Sequence, residues 1–445
     1  MVQQGVSRTR PAHRRRRSAS ESRLRELGSH TPSLPAEALH VLVAERAHRL
    51  VRRIVLLVAI ALLLALAGLQ WFRPLPAPGF SRSLPATLVI PGTPPTLPWP
   101  GSGAATVAVT GHDTASSPGA SAPLATGGLA RLMTAYVVLR DHPLAPGGGG
   151  PPIAVTAPAL AAQAADAAEG QPVVPLAGGE SLDELQALEA LLVGSGDDVA
   201  TLLATWDGGT VPAFVARMNA EAHALGMTRT SFADPGGVAA SSVSTSADMV
   251  RLGRAAMAVP ALRAVVALPQ VTLPVAGLVY NLDGDVGHDG FVGIETGAGP
   301  AAGGCFVFQA VQAVGGQVVT VTGALLGVQG PSPTDEVLAD AETLVDAALA
   351  DLRTATVAPV GTHVGDVHTP WGTTTPVTLG APDAVVGWPG ERFALRVHLQ
   401  RLAPGLARGA VVGTLTVPGA DPPTAALRAG ATVPGPSALW RLTRW

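Results

Sequence analysis

The chain has 445 residues, of which 47% are hydrophobic and 14% charged, so it is long enough for two or three domains with their own cores. Its single cysteine, Cys305, excludes an internal disulfide and a cysteine-based metal site. Lysine is absent and all 29 basic residues are arginine, which excludes any site that needs a lysine as a proton acceptor.

The N-terminal part of the chain is basic and ends in an apolar run. Residues 1–53 contain 12 arginines and 4 glutamates, a net charge of +8, whereas the rest of the chain carries −11. Residues 54–72 follow without a charge, and at about 1.5 Å rise per residue they can cross a bilayer as one helix. The arginines before this run predict a single-pass anchor in the cell membrane, with a cytoplasmic N-terminus and the domains outside.

A cleaved signal peptide is the alternative interpretation of this run, but 53 preceding residues are far more than the charged start of such a peptide needs. Residues 1–35 are predicted to be mostly disordered. The arginine run at residues 14–17 favours anionic lipid over nucleic acid, so no nucleic-acid partner is expected. Residues 73–100 contain nine prolines and predict an extended spacer.

Residues 101–352 mix strand and helix patterns and predict a mixed α/β domain. The second predicted helix would begin at Ser181, with Glu184 completing a capping box. Gly315 and Gly316 separate two apolar runs, as expected for a β-hairpin. Strands are predicted at residues 104–110, 304–314 and 317–328, and helices at residues 129–139, 181–193, 199–206, 211–225 and 336–352.

The pattern changes to strands alone after residue 352. Phe393, Leu395, Val397 and Leu399 alternate with more polar residues, and residues 411–417 are rich in strand-forming side chains. Residues 353–445 are therefore predicted to form a small all-β domain.

Three short segments stand in order along the main domain. They are Gly128-Leu129-Ala130-Arg131 at the start of the first helix, Ser195-Gly196-Asp197 after the second, and Glu295-Thr296-Gly297 before the hairpin. Their order and flanks, such as RLMTAYVVLRDHPL and FVGIETGAGPAAGGCFVF, resemble the penicillin-binding, serine-type D-alanyl-D-alanine carboxypeptidases. The corresponding motifs of that family are S-x-x-K, S-x-N and K-T-G, and the resemblance covers about residues 95–352.

The resemblance implies an α/β (α+β) domain of the DD-peptidase/β-lactamase type, with helices on an antiparallel sheet, followed by a small all-β domain. It also implies an acyl-enzyme mechanism, in which a serine attacks the terminal peptide bond of a cell-wall stem peptide and a lysine acts as its base. The serine of the second motif relays a proton, and the lysine of the third motif binds the substrate carboxylate.

The motifs of this chain differ from that pattern at the positions that carry the chemistry. Gly128 replaces the nucleophile, Arg131 the base, Asp197 the asparagine and Glu295 the anchoring lysine. Glycine has no side chain to acylate, and arginine stays protonated at physiological pH. A carboxylate at position 295 would repel a substrate carboxylate about 4 Å away by roughly 4 kcal/mol at an effective dielectric near 20.

Other motif positions keep the family's residue types. Thr296, Gly297 and the amide of Ala298, at the family's oxyanion-hole position, predict that the frame of the substrate site persists. Ser195 keeps its hydroxyl, and a structural role is the favoured interpretation over that of a substitute nucleophile, because no histidine is near it in sequence.

We therefore predict an inactive carboxypeptidase homologue that binds or scaffolds near peptidoglycan, with a stem peptide or a cell-envelope protein as its partner. A diverged carboxypeptidase with a non-standard site is the alternative, and a passive module whose basic tail makes the functional contacts is a third hypothesis. Arg131 is predicted to pair with Asp197, with Glu295 or with both, which would close the cleft with an ion-pair cluster.

No cofactor and no metal are expected. His363, Asp366 and His368 form the one group that superficially suggests a metal site. Because strand residues five apart face opposite sides of a sheet, we interpret them as surface residues.

Overall fold

The computed structural model describes residues 36–112, 114–381, 383–400, 402–403, 405–417 and 424–444; the predicted N-terminal tail, residues 1–35, lies outside them. The described helices are α1 (Ala36–Phe72), α2 (Ala130–Asp141), α3 (Ala157–Ala168), α4 (Glu184–Leu192), α5 (Asp197–Gly208), α6 (Val211–Ala224), α7 (Ser246–Met257), α8 (Pro260–Val266), α9 (Pro333–Ala350) and α10 (Ala438–Thr443).

The described strands are β1 (Gly79–Arg82), β2 (Thr87–Val89), β3 (Ala104–Val109), β4 (Thr114–Ser116), β5 (Leu124–Ala125), β6 (Pro152–Ala154), β7 (Ser181–Asp183), β8 (Val243–Ser244), β9 (Gln270–Leu273), β10 (Gly277–Tyr280), β11 (Phe291–Gly299), β12 (Gly303–Val314), β13 (Gln317–Val328), β14 (Arg353–Ala358), β15 (His363–His368), β16 (Thr374–Leu379), β17 (Asp383–Gly387), β18 (Arg392–Ala394), β19 (Arg396–Leu399), β20 (Val411–Thr416) and β21 (Thr424–Ala429). The chain divides into two compact units. The larger comprises residues 76–435, and the smaller comprises residues 1–75 with 436–445.

The smaller unit contains the long helix α1. Its section Arg46–Phe72 has 27 residues and contains an 18-residue stretch with a mean hydropathy of 2.6. Among the helices in the described part of the chain, it is the one that is both long enough and apolar enough to cross a membrane. The predicted span, residues 54–72, lies wholly inside it.

Two arginines of the C-terminal segment contact the last turn of α1. The Nη1 atom of Arg441 donates to the carbonyl of Trp71 at 3.3 Å, and its guanidinium lies 5.3 Å from the Trp71 ring centroid. The Nη2 atom of Arg444 donates to the carbonyl of Gln70 at 3.0 Å. These contacts satisfy carbonyls that a helix end leaves without partners, and a cation also suits this end of the helix dipole. Sequence patterns had assigned this segment to the all-β domain, whereas the structure gives it helix α10 and groups it with α1.

The main sheet of the larger unit has the strand order β11-β12-β13-β3-β4, and each neighbouring pair is antiparallel. Side chains of β13 alternate between its two faces. Val321 and Leu325 pack in the core shared with α9, whereas Ala324 and Leu326 join the core formed by the helices on the other face. The predicted α/β (α+β) class, with helices packed on an antiparallel sheet, is confirmed.

The predicted helix at residues 129–139 forms as α2, whose residues from Ala130 to Leu139 are all buried. The hairpin also forms, because Gly315 and Gly316 adopt φ of 60° and 82°, values that glycine tolerates without strain. The helices of this domain that sequence analysis missed include α3, which is composed mostly of alanine and shows little contrast between its faces, α7 and α8.

The predicted start of the second helix was wrong by three residues. Residues 181–183 form strand β7, which pairs with β6. The capping box is made instead by Asp183, whose Oδ1 atom accepts from the Gln186 amide at 2.8 Å, while Oε1 of Gln186 accepts from the Asp183 amide at 3.0 Å. Strand pairing holds Ser181 in an extended conformation, so it cannot cap the helix.

The C-terminal strands form a six-stranded sheet in the order β1-β15-β16-β21-β20-β19, with its own apolar core. Residues 73–100, where sequence patterns predict a spacer, instead provide the edge strand β1 of this sheet, which pairs with β15, and strand β2, which pairs with β18 in a separate two-stranded sheet. The prolines flank these two short strands rather than interrupt them, and β1 lies at a sheet edge, where proline is tolerated nearby.

The three residues that superficially suggested a metal site make separate contacts on this sheet. The Nε2 atom of His363 lies 3.2 Å from Oδ1 of Asp366. The ring of His368 instead contacts the hydroxyls of Ser81 at 2.7 Å and Thr374 at 3.1 Å. Across the described ranges, no group of three or more histidine, cysteine or acidic side chains could hold a metal ion.

Candidate functional site

The three motif segments meet around a cleft of about 370 Å³. The 3-10 helix Gly127–Leu129 leads into α2, the second segment begins α5, and the third lies on the edge strand β11. Motif residues that line the cleft are Gly128, Arg131, Asp197, Thr296, Gly297 and Ala298.

The two remaining motif residues are buried beside the cleft and do not line it. Ser195 is 1% exposed and lies between α4 and α5 with a φ of 54°, a left-handed conformation that is unfavourable for a residue with a side chain. Glu295 is 2% exposed on β11. Ser195 is therefore buried and is not among the residues that line the cleft.

Glycine at position 297 is required by the close approach of β11 to the 3-10 helix. A Cβ atom on Gly297 would lie 2.5 Å from the amide nitrogen of Gly128 and 2.8 Å from its Cα. No side chain fits at such distances, so the retained glycine keeps the frame of the site together.

Position 128 has no room for a side chain either, but for a different reason. A Cβ atom built on Gly128 would lie 2.5 Å from both Cζ and Nη1 of Arg131. The guanidinium of Arg131 thus fills the space in which the side chain of a nucleophile would begin.

Arg131 is held in that space by four polar contacts. Its Nη1 atom lies 2.8 Å from Oδ1 of Asp197, and its Nη2 atom lies 2.8 Å from Oε1 of Glu295. Its Nε donates to the same Glu295 oxygen at 3.0 Å, and Nη2 donates to the carbonyl of Thr296 at 2.8 Å. The predicted pairing of Arg131 with both carboxylates is confirmed.

This cluster contains one more negative charge than positive charges. Burial raises the pKa of Glu295 to about 8, although Arg131 acts in the opposite direction, and burial likewise raises the pKa of Asp197. For Arg131, burial lowers the pKa, but the two carboxylates outweigh burial and keep its pKa above the ordinary value. Oε2 of Glu295 has no hydrogen-bond partner among the described residues. We infer that this carboxyl retains a proton at neutral pH, which leaves the cluster close to neutral.

Two acidic residues that sequence analysis did not identify, Glu169 and Asp166, also influence the charge of the cleft. Glu169 lines it from the end of α3. The pKa of Asp166 is raised to about 6, first by burial and then by Asp197, Glu169 and Asp234. No motif marks Asp166 or Glu169 in the sequence, since they belong to the helix that the patterns missed.

The side chains available in the cleft limit its chemistry. Among the described residues that line it, none is a serine, cysteine, histidine or lysine. The hydroxyls that remain belong to Thr296 and Thr334, and the arginine is fully engaged with carboxylates. Acyl transfer through a covalent intermediate requires a nucleophile beside a general base, and the lining residues that could take these roles are limited to the two threonines and the carboxylates.

Comparison with known proteins gives matches to one group. The family model for D-alanyl-D-alanine carboxypeptidase, peptidase family S11, matches residues 117–324. The D-alanyl-D-alanine carboxypeptidase DacB2 of Mycobacterium tuberculosis is 35% identical over 175 residues, which cover 38% of this chain and 58% of that protein. The match therefore spans less than two thirds of that relative's length.

Solved structures of similar fold cover more of the chain. The DD-transpeptidase of Streptomyces K15 has 25% identity and a TM-score of 0.51, covering 58% of this chain and 100% of that one. Penicillin binding protein 5 from Haemophilus influenzae has 17% identity and a TM-score of 0.53, covering 77% of this chain and 100% of that one. At this lower identity, the second likeness concerns the fold alone.

Replacing Arg131 with methionine should lower the free energy of unfolding by about 3–5 kcal/mol, because the buried carboxylate of Asp197 would lose its counter-charge and Glu295 would lose its hydrogen-bond donors. The triple variant Arg131→Met/Asp197→Asn/Glu295→Gln should recover most of this loss. Denaturant unfolding of the full chain in detergent measures both. As a matched control, Arg140→Met removes an exposed ion pair with Glu221 from the same helix and should cost at most about 1 kcal/mol. Equal losses for Arg131→Met and Arg140→Met would contradict a buried cluster.

Stability should also fall as the pH rises. The pKa of Glu295 in the folded chain, about 8, lies above its ordinary value of 4.5, so the folded state binds a proton that the unfolded chain has released. The stabilisation from this proton is complete below about pH 4.5 and is lost as the pH rises through about 8. Thermal midpoints measured between about pH 5 and pH 9 should fall less for Glu295→Gln than for the natural chain. The surface variant Glu221→Gln should follow the natural chain, and an unchanged slope in Glu295→Gln would be the contrary result.

Proposed function

The chain belongs to the D-alanyl-D-alanine carboxypeptidase family, peptidase family S11, and on this premise we propose that it is a catalytically inactive member that binds or scaffolds at the cell envelope. The observation that carries the proposal is the filled space at position 128. Gly128 has no side chain, and the guanidinium of Arg131 lies where one would begin. The absence of a side chain at position 128 and the presence of arginine at position 131 therefore depend on each other, because the guanidinium fills the space that a side chain would need.

The charges of the cleft support the same conclusion. A carboxypeptidase must hold the terminal carboxylate of its substrate, and the cation in this cleft, Arg131, already contacts two carboxylates. Glu169 and Asp197 line the cleft as well. A ligand carboxylate would meet an excess of negative charge, which disfavours the parent substrate in addition to the missing chemistry.

The proposed setting follows from α1. We infer that this helix anchors the protein in the cell membrane by a single pass, with the arginine-rich residues before it in the cytoplasm and residues 76–435 outside. The family acts on peptidoglycan, so a stem peptide of peptidoglycan or a protein of the cell envelope is the proposed partner.

One observation favours the second candidate, a diverged carboxypeptidase that still trims stem peptides. The cleft remains open at about 370 Å³, and Thr296, Gly297 and Ala298 keep its edge strand in place. This candidate requires Arg131 to leave its ion pairs or another group to act as the nucleophile.

Acylation by a fluorescent penicillin separates the two candidates. The purified full chain in detergent should acquire no covalent adduct by mass spectrometry and should release no D-alanine from a stem pentapeptide. A covalent adduct or D-alanine release would overturn the proposal of an inactive member.

The restored variant Gly128→Ser/Arg131→Lys/Asp197→Asn/Glu295→Lys serves as the positive comparison. It should gain a penicillin adduct on the new serine, because the frame of the site persists. Gly128→Ser alone should gain none and should unfold more easily, since its Cβ would displace the guanidinium of Arg131. Circular dichroism of each variant verifies that it is folded before labelling.

A further inference from the structure

A second cavity of about 470 Å³ lies between the sheet and helices α7 and α8, and it shares no lining residue with the cleft. Strands β12 and β13 and the turn after β3 provide its floor. Its lining residues are Thr110, Gly111, Arg254, Met257, Ala258, Arg263, Gln309, Thr320 and Thr322.

The floor of this cavity is polar, because threonine and glutamine side chains of the sheet line it. Thr322 precedes Ala324 and Leu326 on the face of β13 that packs against the helices. Its hydroxyl accepts from Nε2 of Gln309 at 3.2 Å and so keeps its own hydrogen for a further acceptor. A buried hydroxyl needs such a partner, which an apolar occupant could not supply.

The walls of this cavity carry two positive charges. Arg254 comes from the last turn of α7 and Arg263 from α8. Neither forms an ion pair with a described carboxylate, and no described acidic residue lines the cavity. One Arg263 nitrogen, Nη1, donates to the Met257 carbonyl at 3.3 Å, which leaves its other donors available.

The contrast with a neighbouring arginine is informative. Arg251, one turn before Arg254 on α7, pairs with Asp248. Desolvation lowers the pKa of Arg254, and no carboxylate compensates for it. Residues 54–445 carry a net charge of −11, so carboxylates are in excess, yet none of the described ones meets these two arginines. Both arginines are exposed, so an anion from solvent can reach them and form charge-assisted hydrogen bonds with their free donors.

We propose that this cavity binds a phosphate group, as inorganic phosphate or as a phosphate ester, between the guanidinium groups of Arg254 and Arg263 and above the threonine hydroxyls. Two arginine forks and the hydroxyls provide more donors than a carboxylate can accept, whereas a phosphate has enough oxygens for them. The site is independent of the cleft and of its catalytic state.

Calorimetric titration of the full chain with inorganic phosphate, in detergent free of phospholipid, tests this site. The natural chain and the control variant Arg251→Gln should bind phosphate alike, whereas Arg254→Gln and Arg263→Gln should each bind at least tenfold more weakly. Sodium chloride at matched ionic strength should give no binding heat. Equal binding by all four proteins, or no binding by the natural chain at about 10 mM phosphate, would overturn the proposal.

Two further probes identify the source of the phosphate. Glycerol 3-phosphate is a monoester, and glycerophosphoglycerol is the soluble diester headgroup of an anionic lipid. Tighter binding of the diester than of inorganic phosphate, lost in Arg254→Gln, would assign the site to lipid headgroups or diester polymers. Tighter binding of inorganic phosphate or the monoester, with the same loss, would assign it to small phosphates. Binding of any probe that Arg254→Gln leaves unchanged would count against the site.

Discussion

One buried guanidinium connects the three segments on which the rest of the site depends. Arg131 of α2 contacts Asp197 at the start of α5 and Glu295 on the edge strand β11, and all three side chains are almost fully buried. A charge removed from water is tolerated only when it is paired and hydrogen-bonded, so replacing Arg131 alone would leave Asp197 without a counter-charge and Glu295 without its hydrogen-bond donors. The guanidinium of Arg131 also occupies the space beside Gly128, so a side chain at position 128 would displace it.

The fold of the family is therefore kept in this chain while the residues at its motif positions differ. The fold depends on the antiparallel sheet, the packing of α2 and the close approach of Gly297 to the 3-10 helix, all of which are present. The chemistry depends on a nucleophile, a base and a positive anchor for the substrate, and those positions now hold a structural ion-pair cluster. Helices α2 and α5 and strand β11, which carry the family's motif positions, instead bring Arg131 together with Asp197 and Glu295.

The anchor unit follows its own physical constraint. The apolar section of α1 is long and apolar enough to cross a membrane, and the last carbonyls of any helix need hydrogen-bond donors from outside the helix. Arg441 and Arg444 supply those donors from the other end of the chain. Sequence patterns identified the apolar run of α1 but not its contacts with Arg441 and Arg444. Capping of a helix by residues hundreds of positions away leaves no local signal in the sequence.

The sequence by itself determined that the lysines of the family are absent, that position 128 is a glycine, and that the motifs stand in the family's order. It also determined the hairpin and α2, because glycine pairs and apolar periodicity are local signals. Only the tertiary structure decided that Arg131 fills the space beside Gly128 and that Ser195 is kept from the cleft. It alone brought Glu169 to the cleft, brought Asp166 close enough to Asp197 to raise its pKa, and formed strands from the proline-rich residues 73–100. These outcomes depend on contacts between segments far apart in the chain, and the physical reason is that burial and strand pairing, rather than local propensity, select them.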